Sequence, residues 1–474
     1  MSEKQRETVL VAVPKELAES VKRFVEGVVA ATPDTGGGKA VDYAVFERSV
    51  EERVAELERD AHRRLLQRLD IDEPHVLIRG KAHSRVGRYE GSYQTKAGSV
   101  TIERSLYRND EERNGATVDA VSLRTGAVGA GWLPGAAKAM AYLLQQGTTR
   151  EAEKTAEQLG RLPYSRSSFE SVGHAVGALY EVLHAEIEDV LIERYQVPAA
   201  VRSITAGIDR VSVPMEEPLK RPVGRPRKGA AKNPVARNFR MAYVGTVTLN
   251  DEKGEALHTI RYGRMPQGDA EGLCRGIAAD MTTLLAKHPG LALQTLADGA
   301  AEMRTLLRSH INEDTHGKEV FELVDFGHVI QKLSPAAQVM FGAEYRSALA
   351  RWKLRLLNLQ GAAWNILAEL NESGKEHQQV GDSQPVHEAI TYITNNGEMM
   401  QYLEARKRGF PIGSGNTEAT CKSLFEVRFK RCGSRWKEET GSHVVHLRAV
   451  ALSDRWDDGI DVALKELRAP VRAA

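Results

Sequence analysis

Cysteine is scarce in this chain: Cys274, Cys421 and Cys432 are the three among 474 residues. That is too few for a disulfide framework, and none of the spacings is the C-x-x-C of a zinc site. They read as buried thiols. No uninterrupted apolar run reaches the roughly 20 residues a membrane span needs, and the polar start Met1–Arg6 is unlike a charged-then-apolar leader. The expectation is a cytoplasmic protein. Excess charge is missing as well, since 65 Lys plus Arg stand against 64 Asp plus Glu for a formal +1. Such a balance argues against coating nucleic acid through net charge alone. With 42% hydrophobic and 27% charged residues, the chain can bury a large core in several domains, which excludes disorder throughout.

The charge that is present is segregated. Phe46–Asp60 (FERSVEERVAELERD) is acid-rich, with Val50, Val54 and Leu57 at helical spacing. Lys220–Arg240 (KRPVGRPRKGAAKNPVARNFR) carries Lys and Arg and no acid, and Arg428–Lys437 (RFKRCGSRWK) is a second basic block. Within the first, Val223-Gly224-Arg225-Pro226-Arg227 holds the G-R-P core of an AT-hook, in which an extended chain lies in a narrow minor groove and arginine enters its negative potential. A full hook has arginine where Val223 stands. The other reading is a basic loop that touches phosphates without sequence preference. Either way Arg221, Arg225, Arg227 and Lys228 are candidate DNA contacts.

Along the chain, Thr8–Val13 alternates like a short strand, Pro14–Val29 has helical register, and Ser99–Tyr107 reads as one arm of a small β-hairpin in a mainly helical N-terminal region. Thr148–Leu159 and Ser165–Leu183 form two helices across a short Gly160/Pro163 link. This fits a helix-turn-helix that exposes Arg166 at its groove-entering end, or an ordinary helical hairpin. The central half is α/β. Strands are expected at Ser203–Val213, Phe239–Asn250 and Ala256–Arg264, then a helix at Asp269–Lys287, a strand at Leu291–Ala297, a helix at Ala300–Ser309 and a strand at Val320–Asp325. Three meander strands followed by α-β-α-β is the order of a ribonuclease-H-like fold. Val329–Tyr402 reads as a helical insertion. The expected divisions are 1–130, 131–198, 199–328 with the arm 220–240, 329–402, 403–460 and a tail 461–474.

Three acids stand where that order would gather them: Asp209 in the first strand, Asp298 ending the fourth, and Glu418 opening the helix after Pro411-Ile412-Gly413-Ser414-Gly415. Carboxylates at strand ends repel one another unless a cation intervenes, and two Mg²⁺ ions roughly 4 Å apart suit phosphodiester chemistry on such oxygens. At about 100° per residue, Glu418, Lys422, Phe425 and Phe429 share one face, with Leu424, Arg428, Arg431 and Arg435 beside them. Lys430 adds to this basic surface. A metal-bound phosphate flanked by backbone contacts would suit it, and a partly buried helix with solvated arginines is the plainer alternative.

The tract GFPIGSGNTEATCKSLFEVRFKRCGSRW (Gly409–Trp436), followed by HLRAVALSDRW (His446–Trp456), resembles the C-terminal signature of insertion-sequence transposases of the Kra-four type. IDRVSVPME, LADGAAEM and VDFGHVIQKL occur in the matching order, so the resemblance covers about Thr148 to Trp456. It implies a bacterial DNA transposase with a ribonuclease-H-like core, the acid triad Asp209, Asp298 and Glu418, and two Mg²⁺ ions, with Mn²⁺ able to substitute. It also implies double-stranded DNA ends and target DNA as partners, a homodimer or larger assembly, and a place in the bacterial cytoplasm at the nucleoid. Asp325 and His328 match the D-x-x-H element of related mutator-like transposases. Where relatives carry DGA-x-W, this chain has Glu302-Met303 in place of the aromatic, which bears on packing or DNA stacking rather than on metal binding. Trp352 and Trp364 fall in the helical insertion, where relatives use aromatics to support a flipped base. Trp364 reads as core, and Trp352 is the candidate for stacking. The alternatives are a catalytically inactive transposase-derived DNA-binding protein and a nuclease acting on RNA in hybrids.

Overall fold

A computed structural model gives the fold, and the residues it describes are 11–34, 38, 40–112, 114–219, 235–373 and 384–474. They divide into two compact units, Met1–Leu179 with Ile460–Ala474, and Tyr180–Gly459. Among the described residues no helix is long and apolar enough to cross a membrane.

In the first unit, helices span Lys15–Ala31 and Tyr43–Leu69. The strand expected at Thr8–Val13 is not formed at 11–13, and its first residues lie outside the described ones. Where the sequence suggests a hairpin, the fold has a five-stranded sheet ordered β10-β1-β2-β3-β4. Its strands are β1 (His75–Ile78), β2 (Lys81–Thr95), β3 (Gly98–Asn109), β4 (Val118–Asp119) and β10 (Val471–Ala473). The β2–β3 pair is the legible hairpin; the other three strands have four residues or fewer, too short for alternation to show. Leu66 of the long helix packs with Tyr93, Val100 and Ile102 of the sheet. Helices Ala120–Thr125, Pro134–Gln146, Thr149–Gln158 and Arg166–Val182 come next along the chain. The helix Thr149–Gln158 is closed by a capping box, in which the Thr148 hydroxyl accepts from Glu151 N–H and the Glu151 carboxylate accepts from Thr148 N–H.

The second unit contains a mixed sheet ordered β7-β6-β5-β8-β9. Strands β5 (Ser203–Pro218), β6 (Val235–Asn250) and β7 (Ala256–Arg264) form an antiparallel meander. Strands β8 (Ala292–Ala297) and β9 (Val320–Val324) then join beside β5, both parallel to it. Helices Ala270–Lys287 and Ala301–His310 make the crossovers. The expected order of three strands and then α-β-α-β is the order found. Two glycines let helices approach opposite faces: a Cβ on Gly245 would meet Ile277 at 2.6 Å, and one on Gly263 would meet Val445 at 2.6 Å. After β9 come helices Phe326–Phe341, Tyr345–Asn358, Ala362–Ser373, Pro385–Asn396 and Tyr402–Lys407, gathered around Leu333, Trp352, Ile366 and Ile393.

One buried acid in this core belongs to the helix Ala270–Lys287. Asp280 is 2% exposed and accepts the Tyr262 hydroxyl. Burial, reinforced by Glu188 and Asp189 against Arg455, pushes its carboxyl from 3.8 up to about 7. The folded protein therefore keeps a proton that the unfolded chain releases, so this contribution to stability is full at acid pH and declines as pH rises toward 7. Asp280→Asn should melt above the parent by a small margin near about pH 5 and by several degrees near about pH 8, measured by calorimetry. An equal effect at both pH values would contradict this assignment.

Candidate functional site

Two strands of the second unit end in acids, and a third acid lies within β5 beside them. Asp209 pairs with Val244 in β5, just past the point where β5 and β8 run together (Gly207 opposite Leu296). Asp298 comes directly after the last residue of β8 and Asp325 directly after the last residue of β9, and those two strands are in register at Ala297 and Val324. Carboxyl ends of parallel strands form the crevice of open α/β sheets. At the Asp298 turn Gly299 has φ +84°, the left-handed region that glycine adopts freely. Ala300 N–H donates to Asp298 Oδ1 at 2.9 Å.

Asp325 ties these ends to a fourth segment. It is 3% exposed; its Oδ1 accepts His328 N–H at 2.7 Å, its Oδ2 accepts Ser414 N–H, and its own N–H donates to Ala297 O at 2.8 Å. Phe326 N–H also donates to Ile412 O at 3.0 Å. The Pro411–Gly415 stretch is thereby held against the end of β9, and the helix Gly415–Thr420 starts from it. That helix lies close on β5 because residue 207 is glycine: a Cβ there would stand 2.3 Å from Thr417 Oγ1, whose hydroxyl is instead 2.9 Å from that of Thr246. Glu418, the next residue, has Oε1 3.3 Å from His328 Nε2.

The helix continues as a π-helical turn, Cys421–Glu426, and ends at Phe429. A π turn inserts a residue into the α-helical count and so rotates the side chains beyond it about the axis. The single face expected for Glu418, Lys422, Phe425 and Phe429 does not form: Lys422 is exposed while Phe425 and Phe429 are fully buried. The turn puts Cys421 Sγ 3.4 Å from Asp209 Oδ2 as a donor. Burial raises the Asp209 carboxyl pKa, opposed by Arg210 N–H, the Cys421 thiol and His328, and reinforced by the Asp298 charge. Asp325, His328 and Glu418 offer ligand atoms all within 4.8 Å of one another. The two carboxylates of this group suit a hard cation such as Mg²⁺ or Mn²⁺, whereas the imidazole suits a transition metal.

No family model matches the chain, and no curated protein matches it. Among solved structures, the Drosophila P element transposase strand transfer complex aligns over 67% of this chain and 79% of its own, at 12% identity and a TM-score of 0.24. A score of that size does not establish a common fold.

The basic candidates are scattered. Arg221, Arg225, Arg227 and Lys228 lie outside the described residues. Lys422 and Arg166 are exposed, the latter opening the helix Arg166–Val182 with its N–H on Glu153 at 2.9 Å. Lys430 is exposed and 2.8 Å from Glu426; Arg435 is exposed and 3.9 Å from Glu216. Arg431 and Arg435 lie beyond the end of the helix at Phe429 and are not part of a helical stripe, and Arg431 Nε donates to Val427 O at 3.3 Å. Expectations for Arg428, Trp352, Trp364 and Cys432 are corrected by burial. Arg428 is 6% exposed with its guanidinium 4.7 Å from the centre of the Trp436 ring, an interior cation–π contact rather than a free arm for phosphate. Trp352 is 1% exposed with Nε1 donating to Glu369, so its ring is packed and has no face to stack on a base, whereas Trp364 is 44% exposed. Cys432 is exposed, unlike Cys274 and Cys421.

Sequence reasoning missed Tyr392, whose hydroxyl donates to Asp298 O at 2.8 Å. No local signal marks it, because 94 residues separate the two. The closeness at Gly207 gives the site a sharp test. Gly207→Ala should destabilise the protein by about 1–3 kcal/mol, read as a lower urea midpoint, and Gly207→Ala/Thr417→Ala should recover part of the loss. Additive losses in the double variant would contradict the Thr417 contact as the cause.

Proposed function

We propose that this chain is a DNA transposase with a ribonuclease-H-like core, which binds element ends and performs metal-dependent phosphodiester hydrolysis and strand transfer. The reading rests on the placement of Asp209 within β5 and of Asp298 just past β8, with Asp325 tying the lead-in to Glu418 to the end of β9. A sheet of three antiparallel strands followed by two parallel ones, ordered β7-β6-β5-β8-β9, supports the fold assignment. The motif resemblance from Thr148 to Trp456 supports the family.

Asp209, Asp298 and Glu418 would hold two Mg²⁺ ions, for which Mn²⁺ can substitute; their oxygens suit the hard cation. When bound, the metal supplies activation of the attacking oxygen and charge stabilisation at the phosphate. The chain's own residues do the positioning. Asp298 keeps one oxygen on Ala300 N–H, which fixes the direction of the other. His328 contacts Glu418 and orients it, and Asp325 fixes His328 and the lead-in to Glu418. Phosphoryl transfer of this kind needs no covalent enzyme intermediate, so no serine or tyrosine nucleophile is called for.

Lys422, Lys430, Arg431 and Arg435 would contact the DNA backbone beside the acids, and the arm 220–240 would hold the duplex. End recognition falls to 131–198, where the exposed Arg166 opens the helix Arg166–Val182. Because two ends are held at once, the working form is a homodimer or larger assembly.

The test uses end-labelled DNA from the regions flanking the chain's own coding sequence, incubated with Mg²⁺ or Mn²⁺. The parent protein should nick these ends and join them to target DNA. Asp298→Asn should bind the same DNA with unchanged Kd while cleavage falls on the order of 10³-fold, about 4 kcal/mol of barrier. Retained cleavage would remove Asp298 from the mechanism, and DNA binding without cleavage by the parent would favour a catalytically inactive DNA-binding protein.

A further inference from the structure

The helical insertion reaches the candidate site through one helix, Pro385–Asn396. Its Tyr392 hydroxyl donates to the backbone carbonyl of Asp298 at 2.8 Å. That carbonyl lies past the end of β8 and before the helix Ala301–His310, so it belongs to neither ladder. The next residue is Gly299 at φ +84°, where a Cβ would stand 2.8 Å from Tyr392 Oη. Glycine thus admits the phenol to the turn but gives the turn no side chain of its own to stiffen it. A second strut runs alongside. Arg304 Nη1 donates to Asn395 O and to Asn396 Oδ1, both at 3.0 Å, and Asn396 Nδ2 donates to Tyr392 O at 2.9 Å. The same insertion helix packs Val386, Ala389 and Ile393 into the core shared with Val329, Ile330 and Leu333 of the helix that carries His328. It therefore backs the Asp298 turn and the Asp325–His328 element together.

We propose that Tyr392 is a positioning residue for Asp298, and that through it the helical insertion forms part of the cation site. This rests on the reading of Asp298 as a metal-binding acid. The Asp298 side chain is restrained relative to the turn because one of its oxygens is already committed to Ala300 N–H, so movement of the turn moves the carboxylate with it. Holding the carbonyl fixes the plane of the Asp298–Gly299 peptide and with it the aim of the remaining oxygen. Loss of the hydroxyl leaves that carbonyl without its donor and lets the turn rotate. Outer-shell partners of this kind typically change metal affinity or activity about 10–100-fold when removed.

The experiment is Mn²⁺ titration of the purified full chain without DNA, with the free ion measured by electron paramagnetic resonance, on the parent, Tyr392→Phe, Asp298→Asn and Tyr164→Phe. Tyr164 also donates its hydroxyl to a backbone carbonyl, Thr95 O at 2.6 Å, in the first unit, and serves as the control for loss of such a bond. Tyr392→Phe should weaken Mn²⁺ binding about 10-fold and raise by a similar factor the metal concentration needed for half-maximal cleavage. DNA binding and the circular dichroism spectrum should be unchanged, and Tyr164→Phe should bind Mn²⁺ like the parent. If Asp298→Asn loses Mn²⁺ while Tyr392→Phe keeps parental affinity, the positioning role is overturned and the reading of the site stands. If Asp298→Asn itself keeps parental affinity, the reading of the site fails and the inference with it.

Discussion

The candidate site hangs on the Asp325 carboxylate. Burying an acid to 3% exposure is costly unless its oxygens are met by donors, and here each oxygen meets a backbone N–H, one from His328 and one from Ser414. Those two donors come from segments far apart in sequence, and the residue's own N–H joins the end of β8. A single side chain thereby sets the distance between the strand ends and the glycine-rich approach to Glu418. The approach of Thr417 to Gly207 and the proximity of His328 to Glu418 result from that placement. Asp325 is well placed to be such a hinge because it caps the Phe326–Phe341 helix, where a carboxylate is favoured by the free N–H groups of the first turn.

How much of this is legible in the sequence depends on whether the signal is local. Alternation and β-branched content mark Ser203–Val213, Phe239–Asn250 and Ala256–Arg264, and helical spacing marks the insertion after Val329, because each pattern is complete within a few turns or pleats. Asp209 stands out as an acid within the first strand and Asp298 as one at a strand end, and the Gly-rich lead-in draws notice to Glu418. The π turn at Cys421–Glu426 is invisible, since a continuous helical pattern carries no mark of where the count slips. That is why an unbroken helical count groups Phe425 and Phe429 with Lys422, although they are core residues. Trp352 and Trp364 exchange their expected environments for a related reason: local spacing does not show which ring tertiary packing covers. The short strands β1, β4 and β10 form through pairing with partners distant in sequence, which no local window contains.

The near-zero net charge also has a structural expression. Several basic residues near the acids are close to a carboxylate: Lys430 to Glu426, Arg435 to Glu216, and Arg240 to Glu217. Exposed pairs of this kind contribute little to stability, so exchanging a carboxylate for a DNA phosphate costs the fold little. On the proposed function, such a surface would be electrically quiet without DNA and its DNA binding strongly salt-dependent. Arg428 stands outside this group, being covered by Trp436 and acting in packing.

If acids from three separate segments make one divalent-cation site, crystals of the full chain soaked in Mn²⁺ and measured at the manganese absorption edge will reveal it. Anomalous density bounded by the carboxylates of Asp209, Asp298 and Glu418 is the expected result. Density absent from that edge of the sheet, with ordered manganese elsewhere on the protein, would contradict it.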